Sequence, residues 1–158
     1  MIGIFFVSIV GAQHSLPAYD WDQDGSVPHV FLIGQNETSY EKLMTDYGTM
    51  LLTVSENDMK VAYSRWIDLL TQMEEFSEEQ NFDLKGLKLW LNVFWNEDGS
   101  IQHIVYHPKP NSRNTRTEDI SSFFETFIDT YDPKIKSSYK FSHYGSAAFP
   151  TFPQRVGR

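Results

Sequence analysis

The hydrophobic pattern of this chain changes period twice. Tyr40, Leu43, Met44, Tyr47, Met50 and Leu51 recur at helical spacing, with Thr38 or Ser39 placed to cap and Gly48 weakening the middle. Asn57 or Asp58 can cap a second helix over 58–80. Its stripe is Met59, Ala62, Trp66, Leu69, Leu70, Met73 and Phe76, with Glu74, Glu75, Glu78 and Glu79 mainly on the wet side. At Gly86 the period drops to two. Leu87, Leu89, Leu91, Val93 and Trp95 alternate with Lys88, Trp90, Asn92, Phe94 and Asn96, which predicts a strand. Asn96-Glu97-Asp98-Gly99 is a tight turn in which Gly99 is free to take positive φ, and Ile101–His107 returns as the partner strand. Pro108 and Pro110 end it, because neither donates a ladder hydrogen bond.

The helical period returns near Thr117. Ile120, Phe123, Phe124, Phe127, Ile128 and Tyr131 form the stripe, Glu118 and Asp119 favour the helix start, and Pro133 stops it. A short strand is expected at 30–33 and a last one within 139–152, near Lys140–Tyr144 or Ala147–Phe152. None of these helices buries its stripe alone. The expected fold is therefore an α+β, two-layer domain, an antiparallel hairpin-based sheet packed on two or three helices.

The first residues do not fit that domain. Met1–Gly11 is almost unbroken apolar chain, about half the roughly 20 residues a bilayer span needs. Val10-Gly11-Ala12 offers small residues to a signal peptidase, and Gln13 would begin the mature chain. A positively charged n-region is missing, so the start is either internal to a longer gene or unusually processed. Residues 1–12 are read as a signal-peptide-like segment, 13–29 as an extended polar lead-in and 30–158 as one α+β domain. The expectation is an exported protein, periplasmic or secreted, with no membrane span in the mature chain.

Charge narrows the partners. The formal net charge is -8, which disfavours nucleic acid as a ligand. Residues 37–83 hold eleven acidic and three basic residues, whereas 109–158 hold eight basic and five acidic ones. Cysteine is absent, so disulfides, thiolate chemistry and Cys-ligated metals are excluded.

Within the basic half, Lys109-Pro-Asn-Ser-Arg-Asn-Thr-Arg116 is the strongest binding candidate. Lys109, Arg113 and Arg116 supply charge, Asn114 adds an amide, and the next helix presents free N–H groups. An acidic peptide, a carboxylate or a sulfate would suit it. The competing view is a loop that caps its own helix, since Thr115 and Glu118 have capping-box spacing.

Other constellations are thinner. Asp20, Asp22 and Asp24 before Gly25 match half a calcium loop, but Phe31 stands where the bidentate glutamate belongs. The expectation is a solvated acidic turn, with no metal and no cofactor. His103 and His107 lie four apart on a strand, a separation of about 13 Å that no single ion bridges. His143 could approach one of them across the sheet. Ser142-His143 and Ser146 do not by adjacency make a nucleophile and base. Trp90 and Phe94 share a strand face and would be surface aromatics if that face were open.

The order helix, strand, Asp98-Gly99 turn, strand, helix, strand resembles the carboxy-terminal domain of TonB-type energy transducers. The likeness covers roughly 95 residues and includes the Pro in Phe149-Pro150-Thr151-Phe152. It departs from the family in lacking a Pro-rich linker and a Tyr-Pro pair before the first helix, and in its longer helix 58–80. KLWLNVFWNEDGSI, KPNSRNT and FSHYGSAAFPTF also resemble small exported proteins of uncharacterised function from the Bacteroidetes group. These resemblances imply a stand-alone envelope domain with a related fold, binding a protein or peptide without catalysis. A small secreted hydrolase with a His-centred site and a carbohydrate-binding module are the alternatives, and a homo-oligomer stays open.

Overall fold

The computed structural model describes residues 26–151. The signal-like segment, most of the polar lead-in and Asp20, Asp22 and Asp24 lie outside the described residues. The elements in order are β1 (Val30–Leu32), α1 (Glu37–Asp46), β2 (Thr49–Met50), α2 (Leu51–Val54), α3 (Met59–Glu79), β3 (Lys88–Trp95), β4 (Ile101–Pro108), α4 (Thr117–Thr130) and β5 (Phe141–Ala148). They build one five-stranded sheet of order β1-β4-β3-β5-β2.

The centre of that sheet is antiparallel, as the period-two run requires. β3 pairs with β4 through Val93↔Ile104 and with β5 through Val93↔His143. The edges add parallel pairs to the antiparallel hairpin-based sheet that the sequence predicts. β1 joins β4 in parallel and β2 joins β5 in parallel, so the sheet is mixed. Both edge strands are very short, which limits pairing with other chains.

One face carries Leu89, Leu91, Val93 and Trp95 of β3 with Ile104 and Tyr106 of β4. Against it pack Trp66, Leu69, Leu70, Met73 and Phe76 of α3 and Ile120, Phe123, Phe124 and Phe127 of α4. A large apolar side chain buried this way contributes about 1.5–3 kcal/mol. The result is a two-layer α+β arrangement, a mixed sheet on a helical layer. The other face is covered only in part. There α1 lays Leu43 and Tyr47 over Phe31, Phe94 and Val105.

Local chemistry fixes the helix ends. Asp58 caps α3 by accepting from the Lys60 and Val61 N–H groups at 2.8 and 3.2 Å. Asn36, not Thr38 or Ser39, caps α1, accepting from the Ser39 N–H at 3.3 Å. α1 stops at Asp46 and Gly48 lies beyond its end, so Met50 and Leu51 belong to β2 and α2. Arg116 is the residue before α4 and makes no side-chain cap bond, so the Thr115–Glu118 box does not form. Among the described residues no helix is long and apolar enough to cross a membrane.

Candidate functional site

The basic loop is tied back to its own domain. The Arg113 N–H donates to the Gly86 carbonyl at 2.8 Å, and the Lys88 N–H donates to Ser112 Oγ at 2.9 Å. The Arg113 guanidinium donates to the Asp83 carboxylate at 2.8 Å and to the Asp83 carbonyl. The Lys85 N–H and this guanidinium together hold the Asp83 carboxyl below its usual range. Arg116 sits 3.8 Å from both Glu118 and Asp119. Asn114 is exposed. Two of the three loop cations therefore face carboxylates of their own chain.

Lys109 is different. Its ammonium lies 3.9 Å from the centre of the Trp90 ring and donates to Ser146 Oγ. No carboxylate of the described residues pairs with it. Trp90 in turn stacks on Tyr144, ring centres 5.6 Å apart and 13° from parallel. Lys109 and Tyr144 thus both engage the Trp90 ring, which is 38% exposed. Phe94, a surface aromatic only if that face of the strand were open, is fully buried. Tyr40 and Tyr47 meet it edge-on, and it packs in one cluster with Leu43, Phe31 and Val105.

The histidines do not converge. The register Phe94↔His103 puts His103 and His107 on the α1 face, whereas Val93↔His143 puts His143 on the α3 face. His103 is buried, stacks with His29 and shares a 2.8 Å hydrogen bond between its Nδ1 and the Pro28 carbonyl. His143 lies against Trp66, ring centres 4.7 Å apart. Neither imidazole has a carboxylate as hydrogen-bond partner among the described residues. No cluster of three His, Asp or Glu there could hold a metal ion.

These two imidazoles set an acid limit on stability. Burial holds both below the ordinary histidine value of 6.5, and for His103 the Pro28 carbonyl pulls the other way while His29 and Lys140 add to the depression. The unfolded chain then binds protons that the folded chain refuses. Stability is intact above pH 6.5 and is lost as the pH falls from there toward the folded values. The urea midpoint should drop between pH 7 and pH 5.5. His103→Gln, which keeps a donor for Pro28, should flatten the drop, and adding His143→Gln should flatten it further. An unchanged slope in the double variant would place the acid sensitivity elsewhere.

The site that sequence reasoning missed lies at the β2–β5 edge. Eight large apolar side chains are exposed among the described residues. Met44, Met50, Met59, Tyr63 and Tyr144 of these line one groove of about 400 Å³, and Trp90 stacks on its Tyr144 wall. Met50, Met59 and Tyr63 are 58%, 69% and 62% exposed. Three of the chain's five methionines are here. No Asp, Glu, Lys or Arg lines the groove. Asn92 holds one end in place, donating through Nδ2 to Tyr40 Oη at 3.1 Å and to Met44 Sδ at 3.2 Å. Trp66 also lines the groove.

The strand beside the groove is partly open. The Phe149 N–H donates to the Leu87 carbonyl, so with period two the odd residues of β5 bond to β3 and the even ones point outward. Ser142 meets β2, which ends at Met50. The Ser146 carbonyl accepts from the Trp66 indole at 3.3 Å. That indole lies across Gly145, where an added Cβ would come within 2.9 Å of it. Tyr144 is left as the outward main-chain position between these two stops. The sequence signal was present in Met44, Met50 and Met59, but the first two read as part of one helical stripe and Met59 as part of the next. Comparisons with protein-family models, with curated proteins and with solved structures find no match to this chain.

Proposed function

We propose that this chain is a non-enzymatic binding domain of the cell envelope, and that it holds an apolar segment of a protein partner in the groove beside β5. The observation that carries this is the gathering of five of the eight exposed large apolar side chains of the described residues around one uncharged groove. Contiguous exposed apolar surface of this kind marks interaction sites. Methionine suits it, because an unbranched, polarizable side chain repacks around different partners. The partner segment lies extended along β5, using the Tyr144 main chain for one pairing and side chains for the rest. The run α3-β3-β4-α4-β5 supports kinship with the TonB-type carboxy-terminal domain, while β1, α1, β2 and α2 are additions to that scheme.

Two substitutions test the groove without disturbing the fold. Met50 precedes α2 as its cap residue and Met59 opens α3, positions where aspartate is favourable. Met50→Asp with Met59→Asp should therefore change stability by no more than about 0.5 kcal/mol. Panning a random library of displayed peptides on the wild type should enrich apolar sequences. Their affinity for the double variant should fall by about tenfold or more, the loss that central contacts typically show. No enrichment, or equal binding by both proteins, would overturn the proposal.

Export belongs to the same proposal, on the strength of the apolar run ending at Val10-Gly11-Ala12. The intact mass of the native mature protein should correspond to a chain beginning at Gln13. Retention of Met1 would rule it out.

A further inference from the structure

The groove does not end in neutral surface. Its Tyr144 wall stacks on Trp90, and the Lys109 ammonium sits over Trp90. The chain thus runs from an uncharged apolar groove, across an aromatic pair, to a cation. That cation stands in a protein of net charge -8, yet no described carboxylate pairs with it. The other two cations of the same loop, Arg113 and Arg116, each face acidic groups of their own chain. Lys109 is held in place, since Ser146 Oγ and the Trp90 ring fix its ammonium at the rim. Both of those contacts leave its charge uncompensated: a hydroxyl and a ring face carry no net charge.

We propose that the segment taken by the groove is apolar and then acidic, its carboxylate pairing with Lys109 once its apolar side chains fill the groove beside Met50 and Met59. This rests on the groove reading above and adds the chemistry of the partner. The apolar part supplies affinity by burial. The carboxylate sets direction along β5, because the groove has a cation at its Trp90 rim and no charged side chain in its lining. The carboxylate is that of an Asp or Glu side chain within the segment, and a free chain terminus in its place is an outcome of the test.

The test uses random peptide libraries displayed in two forms, one with a blocked and one with a free carboxyl terminus. Wild-type protein should select apolar sequences with an acidic residue to one side, and the form that enriches distinguishes the two sources of carboxylate. A synthetic peptide of the selected sequence should bind Lys109→Gln about two- to fivefold more weakly, the range of a partly exposed ion pair. Replacing its acid by the amide should give the same loss in the wild type and no further loss in Lys109→Gln. Circular dichroism checks that the variant stays folded, and Lys109→Arg should restore part of the affinity. Apolar peptides selected without acidic preference, still dependent on Met50 and Met59, would overturn the Lys109 proposal and leave the groove standing. No selection on the wild type would overturn both.

Discussion

Replacing Gly99 with alanine is expected to destabilise the domain by at least about 3 kcal/mol, because backbone strain and overpacking add at one position. Gly99 ends the β3–β4 turn with φ at +87°. Its N–H donates to the Asn96 carbonyl at 3.0 Å, and Asp98 accepts from the Ser100 N–H at 2.9 Å. A Cβ added there would fall 1.8 Å from the Ile135 carbonyl oxygen and 3.2 Å from the Pro133 side chain. The segment after α4 lies directly on the turn, held by the Ser137 N–H on the Glu97 carbonyl at 2.9 Å and by buried Ile135. Gly34 is the internal control. It has φ at +93° with nothing within 4 Å of an added Cβ. Alanine there should cost only the conformational part, roughly 1–2 kcal/mol. Thermal denaturation of the two variants separates the effects. Equal losses would mean that the segment 133–137 yields freely and that its packing on the turn contributes little.

Phe124→Ala should be as damaging, at about 3–5 kcal/mol. Phe124 is fully buried and meets the Tyr106 ring edge-on at 5.5 Å and the Phe123 ring at 5.6 Å. Truncation removes the transfer energy of the ring and leaves a cavity between α4 and β4. It also loosens Tyr106, whose hydroxyl donates to the Thr117 carbonyl at 2.8 Å and bonds Ser121 Oγ at 2.8 Å. Urea denaturation should show a lower midpoint with little change in slope. A loss below about 1 kcal/mol would show that α4 collapses onto the sheet and closes the space.

The regular elements were legible because their period was strong and local. α3 carries seven apolar residues on one stripe, and β3 switches cleanly at Gly86. What failed depended on distant chain. Trp90 and Phe94 share one face of β3, and only the path of α1 decides that one is 38% exposed and the other fully covered. The side of the sheet taken by His143 follows from pairing with Val93, 50 residues earlier, which no local pattern encodes. Arg113 looked available because Asp83 is 30 residues away. The groove was invisible for the same reason. Its walls come from α1, β2, α3 and β5, and only the sheet order brings them together.

The two parallel edge strands also constrain when the chain can fold. His29 reaches Gln102 of β4 across 73 positions of sequence, and Tyr47 reaches Ser142 across 95. During synthesis the first segment emerges early but has nothing to dock against until the hairpin, and finally residues 141–148, have been made. Such contacts carry a high loop-closure cost and form late, so β1 and β2 should be the last elements to acquire protection from hydrogen exchange during refolding. Until then Tyr40 and Leu43 of α1 lack the strand residues they pack on and remain available to chaperones.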